Sequence, residues 1–357
     1  MGGVGPYLTL FSRAGIAREQ VDKDVEKLAI HELPSARGCT YVLPAADFAL
    51  GLRSGEAFGG ADLKVAMKLG VTEKEIAKLS EAVLKALAKG PLDPDGIREA
   101  VGPAARSLGP EGVKKGISST LPLALGGLQV RGDIRRIPTT GRLDQQRYRY
   151  TVWKPNPLAK YKPSAEETYS ELARHYFRWI GPATLAEFQW FSGLGVKAAK
   201  VAIEPVKLET VESERMMLRE DRDEFESFKA PRSPHYSLVS SVDSIFLLRR
   251  NVTDLVDAAD KDRRLAEGKC MGGLTDLPNH AILDRGRIVG LWDYDQPGGS
   301  IAWVSFIKPD AALKKAVSEM ESYIRGQLGD ARSFSLDSPK GRAPRIESLR
   351  KMAAKAV

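Results

Sequence analysis

The sequence contains few of the residues that bind metal ions or form disulfides. Its two cysteines, Cys39 and Cys270, lie far apart with no CxxC pair, and its four histidines are scattered singly. Structural zinc sites and disulfide frameworks need closely spaced cysteines and histidines. We therefore expect no metal site and no disulfide, and no other feature of the sequence calls for a cofactor.

Long apolar stretches and targeting signals are also missing. No run of about 18 apolar residues occurs, and residues 1–15 lack the basic start and continuous apolar middle of a secretory signal. The patterns GxxxxGK[ST], HExxH and GxSxG are absent, which excludes P-loop nucleotide hydrolysis, zincin chemistry and a nucleophile elbow. With 357 residues, 43% of them hydrophobic, the sequence is typical of a globular protein with two or three domains. We expect a cytoplasmic protein, a monomer, that does not contact membranes.

Charge is unevenly distributed along the chain. The formal net charge is +8, but residues 111–160 hold ten Lys and Arg against three acidic residues, which is +7. Residues 204–226 instead hold nine acidic residues against four basic ones. The tail from residue 331 is rich in Ser, Pro, Lys and Arg, a composition that predicts a mobile basic arm.

Capping signals predict three consecutive helices in the middle of the chain. Ser164 and Glu167 have capping-box spacing before a helix that reaches residue 180, and Thr184 and Glu187 repeat this spacing before a shorter helix. A third helix begins near Val196. Helix, turn, short helix, turn, basic helix is the order of a helix-turn-helix unit, whose last helix enters the major groove of DNA.

A similar pattern occurs 91 residues earlier. Residues 73–102 contain an amphipathic helix, a Gly-Pro turn, the capping residue Asp93 and a closing Gly102. A further helix over residues 118–129 precedes residues 132–153, which predict a β-hairpin because polar and apolar residues alternate along its second strand. A basic hairpin after three helices is the wing of a winged helix. The 91-residue offset between the two similar patterns predicts two copies of one module.

A partial third copy opens the chain, since residues 17–33 predict a helix and residues 37–44 a strand. Past Pro231 short strands are predicted at 280–284, 287–295 and 300–306, followed by a helix over about residues 310–327. We predict a mainly α fold with β wings (α+β), built of tandem winged helix-turn-helix modules plus a small β-rich C-terminal portion. The predicted domains are a partial first module at 1–70, a second with the basic wing at 71–160, a third at 161–230, a β-rich region at 231–330 and a basic tail at 331–357.

Several residues are candidates for a nucleic-acid site, because several cations on one surface neutralise phosphates. The candidate DNA contacts are Lys114, Lys115, Arg135, Arg136, Arg142, Arg147, Arg149, Lys197 and Lys200. The simpler interpretation of each is a solvated charged surface. Asp243, an acid within an apolar run, is either a functional acid or a helix-capping residue. The aromatic residues between 176 and 191 are expected to fill a core rather than to stack on bases.

Five stretches resemble one known family, the bacterial winged-helix proteins of the AlkZ and YcaQ type, which include DNA glycosylases. They are RGCTYVLPAADF (37–48), STLPLALGGLQVRGDIRRIP (119–138), GRLDQQRYRYTVW (141–153), GPATLAEFQWFSGL (181–194) and DRGRIVGLWDYD (284–295). The resemblance implies an array of modules around duplex DNA and excision of alkylated bases. It also assigns the acid of a family motif to Asp243, which is therefore our candidate catalytic residue.

The sequence departs from the family at one functional point. Family members carry a Gln-x-Gln or Gln-x-Asp pair shortly before a stretch similar to PYLTLFSRAG, where it would position the attacking water, but here no glutamine precedes Gln20. Either the protein starts upstream of residue 1 or this member lacks the pair. We therefore predict a duplex DNA-binding winged-helix protein related to DNA glycosylases. The alternatives are an active glycosylase for alkylated purines and a module that binds protein partners through its acidic segment.

Overall fold

The computed structural model describes residues 3–265, 268–332 and 338–355. Helices alternate with four small antiparallel sheets, one of four strands and three of two strands, within these residues. The predicted mixture of helices and β-hairpins is confirmed. No helix in these ranges is both long and apolar enough to cross a lipid bilayer.

The N-terminal elements form a hairpin framed by helices. In chain order they are α1 (Gly5–Ala14), α2 (Arg18–Glu26), β1 (Ile30–Pro34), β2 (Thr40–Pro44), α3 (Phe48–Gly55) and α4 (Ala61–Met67). The single helix predicted over residues 17–33 is wrong in its second half. Leu28 has a φ of 56°, which ends the helix, and Ile30 to Pro34 pair with β2.

The next elements give the three predicted helices and the hairpin, with a short additional helix before the last of the three. They are α5 (Glu73–Leu87), α6 (Pro94–Val101), α7 (Gly109–Lys114), α8 (Leu121–Val130), β3 (Ile134–Pro138) and β4 (Tyr148–Val152). The Asp93 side chain caps α6 by accepting a hydrogen bond from the Gly96 amide at 2.8 Å. Leu79, Ile97 and Leu128 are buried in the core that joins α5, α6 and α8 to β3.

A second group of three helices and a hairpin follows. It contains α9 (Ala165–Ile180), α10 (Leu185–Ser192), α11 (Val196–Ile203), β5 (Leu208–Glu212), β6 (Arg215–Leu218) and α12 (Arg222–Ser227). Both predicted capping boxes are present, at Ser164 and at Thr184. Tyr176, Phe177 and Phe188 are fully buried in this core, as expected, but Trp179 and Trp190 are 44% and 37% exposed, so the core prediction is wrong for these two.

The C-terminal region is built on the four-stranded sheet, in the order β10-β9-β8-β7. Its elements are β7 (Tyr236–Val239), α13 (Ser244–Leu247), β8 (His280–Asp284), β9 (Arg287–Asp295), β10 (Ser300–Ser305), α14 (Ala311–Tyr323) and α15 (Pro339–Lys355). The three predicted strands are confirmed, and β7 is an additional strand that the sequence does not predict. One sheet face packs on α1 and α14 and the other on α15, so the sheet is apolar on both faces.

The prediction of a mobile basic arm is wrong for residues 339–355. This segment is helix α15, whose Ile346 and Leu349 pack on the sheet, while Arg342 is 4% exposed and forms an ion pair with the buried Asp293. Composition does not predict this helix, because the buried face of the helix contains an arginine and the acidic partner of that arginine lies elsewhere in the chain. Residues 333–337 and 356–357 of the predicted arm lie outside the described residues.

Candidate nucleic-acid interface

The hairpin β3–β4 has two different faces, which its strand register defines. Arg135 lies opposite Thr151, and Ile137 lies opposite Arg149. The Thr139 amide donates to the Arg147 carbonyl at 2.8 Å, which continues the pairing beyond the strands. Opposed residues of an antiparallel pair share a face, as do alternate residues of one strand. Arg135, Arg147 and Arg149 therefore lie on one face, which we call the basic face.

The basic face presents two exposed cations and one half-buried cation. Arg147 and Arg149 are exposed, and neither forms an ion pair within the described residues. Burial lowers the pKa of Arg135 from its usual value. The structure thus brings three of the predicted DNA contacts together, with the two most accessible ones on β4 and directly before it.

Arg136 lies on the opposite face and requires a correction. Its guanidinium lies 4.6 Å from the centre of the Tyr148 ring and 3.2 Å from the carboxylate of Glu32. Glu32 is only 6% exposed, so its charge needs this partner. Arg136 therefore joins the hairpin to β1, and it is not available as a phosphate contact in the way the sequence suggests.

Arg142 lies in the loop between the two strands and is held by two carboxylates. It donates to Asp144 and to Asp330, with Nη1 and Nη2 at 2.9 and 2.8 Å from the two carboxylate oxygens of Asp330. Hydrogen bonds from Arg142 lower the pKa of Asp330. This predicted contact is thus directed onto protein carboxylates and not into solvent.

The four lysine candidates lie outside the hairpin, on or directly after the helices α7 and α11. Lys114 ends α7 and forms an ion pair with Glu111 at 2.8 Å, and the exposed Lys115 follows it. Lys197 and Lys200 are exposed on α11. Neither pair belongs to the hairpin, so these lysines lie outside the basic face.

Asp243 is buried and fully engaged. Its side chain caps α13 by accepting from the Ile245 amide at 2.9 Å. It also accepts from the Thr9 hydroxyl at 2.8 Å and from both terminal nitrogens of Arg13 at 2.6 Å. The helix-capping interpretation is confirmed, and the carboxylate additionally joins α1 to α13.

A family model describing AlkZ-like DNA glycosylases matches residues 5–320. The chain belongs to the AlkZ-like DNA glycosylase family. Among solved structures, that of the Streptomyces sahachiroi DNA glycosylase AlkZ is similar in fold, with a TM-score of 0.58 and 18% sequence identity over 89% of this chain and 84% of that one. At that identity the likeness concerns the fold alone. No curated protein sequence matches the chain.

In this AlkZ-like chain, sequence reasoning missed a surface cluster centred on Trp190. The indole is 37% exposed and contacts two guanidinium groups, with Arg37 at 3.8 Å and Arg250 at 4.1 Å from the ring centre. Arg37 and Arg250 have φ values of 60° and 53°, which arginine seldom adopts. Trp190 lies off the buried face of α10, which Phe188 and Phe191 form. Its helical spacing from these two residues is the signal that could have placed it at the surface.

Metal binding has no candidate in the described part of this AlkZ-like chain. Nowhere in residues 3–265, 268–332 and 338–355 do three or more His, Cys, Asp or Glu side chains gather closely enough to hold a metal ion.

The Asp243→Asn variant is expected to lower the free energy of unfolding by about 2 kcal/mol. Breaking a buried ion pair costs about 3–5 kcal/mol, but the Arg13 side chain is 43% exposed and can be hydrated in the variant. Urea denaturation would measure the change. Asp276→Asn is the matched control, because Asp276 pairs with Arg250 at 48% exposure and should lose less than about 1 kcal/mol. Equal losses in the two variants would contradict the role given to Asp243.

Proposed function

We propose that this AlkZ-like protein binds duplex DNA, with the basic face of the β3–β4 hairpin against the sugar-phosphate backbone. The observation that carries the proposal is the pair Arg147 and Arg149, exposed on one face and flanked by the half-buried Arg135. Alternate residues of a strand lie about 7 Å apart. The face therefore offers a short row of cations to a row of phosphates.

Backbone contacts of this kind position a protein on DNA but carry no sequence information. Duplex binding through the basic face should accordingly depend strongly on salt and weakly on sequence. Four exposed lysines are proposed as further contacts, namely Lys114, Lys115, Lys197 and Lys200. Each would add to the electrostatic part of the binding free energy.

A protein-binding role depends on the acidic segment, which is partly neutralised within the chain. Glu220 and Asp221 pair with Arg174 and Arg178 of α9. Further acidic side chains of residues 209–226 pair with arginines of the same stretch. The five other acidic residues of the segment, at 204, 212, 214, 223 and 224, are exposed and form no ion pair within the described residues, so a basic protein partner stays an alternative to DNA.

Base excision is the second candidate function, and family membership over residues 5–320 favours it. An alkylated purine is cationic and already a good leaving group, so modest polarisation of a water molecule suffices. Asp243 remains the candidate acid that the family resemblance supplies. Because it is buried and held by Arg13 and Thr9, we assign it the role of positioning α1 and not that of contacting DNA.

A fluorescence anisotropy titration of a labelled duplex over a range of salt concentrations tests the proposal. We expect binding whose log–log salt dependence has a slope of at least about 2 in magnitude, since each neutralised phosphate contributes about 0.9. Failure to bind at low salt, or binding independent of salt, would refute the proposal. Incubation of the protein with an alkylated duplex, followed by an assay for free modified base, tests the second candidate function.

A further inference from the structure

The end of the hairpin carries one cation between two carboxylates. Arg142 donates from Nε and Nη2 to Asp144, and from Nη1 and Nη2 to Asp330. One positive and two negative charges leave this group with a net charge of −1. The group lies in the loop of the hairpin that presents Arg147 and Arg149, so this hairpin carries an excess negative charge in its loop beside the cations on its basic face.

The two carboxylates differ completely in exposure. The Asp144 side chain is 0% exposed, whereas that of Asp330 is 69% exposed. A buried carboxylate cannot give up its cation without a large penalty. The ion pair with the exposed Asp330 costs less to break, because water solvates that carboxylate once it is separated from Arg142. Asp330 is therefore the partner that another anion can replace.

Asp330 also contacts Arg142 in the geometry that a phosphate would use. Two parallel hydrogen bonds join the guanidinium edge to its two carboxylate oxygens, and phosphates bind arginine in the same bidentate way. The Gln145 side chain donates to the Asp330 carbonyl at 3.0 Å, which holds this residue against the loop. Asp330 thus occupies the outer edge of Arg142 as a phosphate would.

We propose that Arg142 is a DNA phosphate-binding residue whose outer edge is occupied by Asp330 in the free protein. On this proposal, which rests on the proposed function, a backbone phosphate displaces Asp330 while Asp144 keeps its bond to Arg142. One anion replaces another on the same guanidinium, so the buried part of the group does not change. The ligand is the phosphodiester of duplex DNA.

Asp330→Asn removes the competing charge and is expected to tighten duplex binding about three- to fivefold. The matched control is Asp257→Asn, since Asp257 is 54% exposed and pairs with Arg287 at 3.4 Å. It removes one negative charge outside the hairpin, where screening beyond about 8 Å should limit the gain to less than about twofold. Fluorescence anisotropy with the labelled duplex measures all three proteins.

A second pair of variants identifies Arg142 as the residue through which Asp330 acts. Arg142→Lys keeps a cation for Asp144 but cannot make two parallel bonds to one anion. Asp330→Asn should therefore gain no more affinity in the Arg142→Lys protein than Asp257→Asn gains in the wild type. Asp330→Ser should repeat the effect of Asp330→Asn, and circular dichroism spectra establish that every variant is folded.

The outcomes separate this inference from the proposed function. A wild-type protein that binds duplex DNA while Asp330→Asn binds no tighter than Asp257→Asn overturns the phosphate site alone. A gain from Asp330→Asn that persists in the Arg142→Lys protein likewise overturns the phosphate site alone. Absence of duplex binding at low salt in the wild type and in Asp330→Asn overturns both proposals.

Discussion

The double variant Arg147→Ala/Arg149→Ala is expected to bind duplex DNA about 30-fold more weakly than the wild type at physiological salt. Release of the counterions around one phosphate contributes about 1 kcal/mol under these conditions, and two such contacts together correspond to about that factor. The magnitude of the log–log salt slope should fall by about 1.8. Fluorescence anisotropy across a salt series measures both quantities. Because both side chains are exposed, the fold should be unaffected.

The control for this variant removes the same amount of charge from a helix outside the hairpin. Lys314→Ala/Lys315→Ala deletes two exposed cations from α14, where alanine is the most favourable helix residue. If the hairpin forms the interface, the control should bind within about twofold of the wild type, because distant charges are screened. Equal losses in the two double variants would mean that net charge, and not the hairpin, governs binding.

The β3–β4 hairpin and the helices α9 and α10 could be predicted because their signals are local. The Ser164 and Thr184 capping boxes involve residues three positions apart, and the alternation along β4 is a property of a few neighbouring residues. The α2–β1 boundary shows the limit of such reasoning. Residues 27–33 carry a helix-compatible pattern, but Ile30 to Pro34 pair with β2 instead, so tertiary pairing overrides local propensity.

Which arginines are available could not be predicted, because their partners are remote in the chain. Arg142 meets Asp330 across 188 residues, and Arg136 meets Glu32 of β1. Nothing in the run from residue 135 to 149 distinguishes these two from Arg147 and Arg149. Charge density in sequence therefore identifies the basic hairpin, whereas the fold decides which cations are paired with carboxylates and which are exposed.

The same limit applies to the acid and to the tail. The sequence offers two interpretations of Asp243, of which capping is confirmed, but Arg13 lies 230 residues from it and gives no sign of the pairing. Composition predicts a solvated arm where α15 lies. From sequence alone, a buried arginine cannot be told from a solvated one, because its acidic partner is remote in the chain. Arg342 and Asp293 form that pair, and only the sheet brings them together.

The Arg342→Met variant is expected to lower the free energy of unfolding by about 3–5 kcal/mol. Arg342 is 4% exposed and Asp293 is 0% exposed, and removing one partner leaves the other charge buried and unpaired. Burial and the nearby charge of Arg345 lower the pKa of Arg342 to about 10, which still leaves the guanidinium charged at neutral pH. Guanidinium chloride denaturation followed by tryptophan fluorescence, to which the fully buried Trp292 of the same sheet contributes, measures the loss.

Two further variants separate the ion pair from the packing of α15. Arg350→Met changes an arginine on the same helix whose side chain is 54% exposed and pairs with Asp295, and it should lose less than about 1 kcal/mol. Asp293→Asn/Arg342→Met removes both charges and should lose less than Arg342→Met alone, because no unpaired charge is then left buried. A double variant as unstable as the single one would assign the loss to packing. A loss below about 1 kcal/mol in Arg342→Met would show that α15 does not depend on this pair.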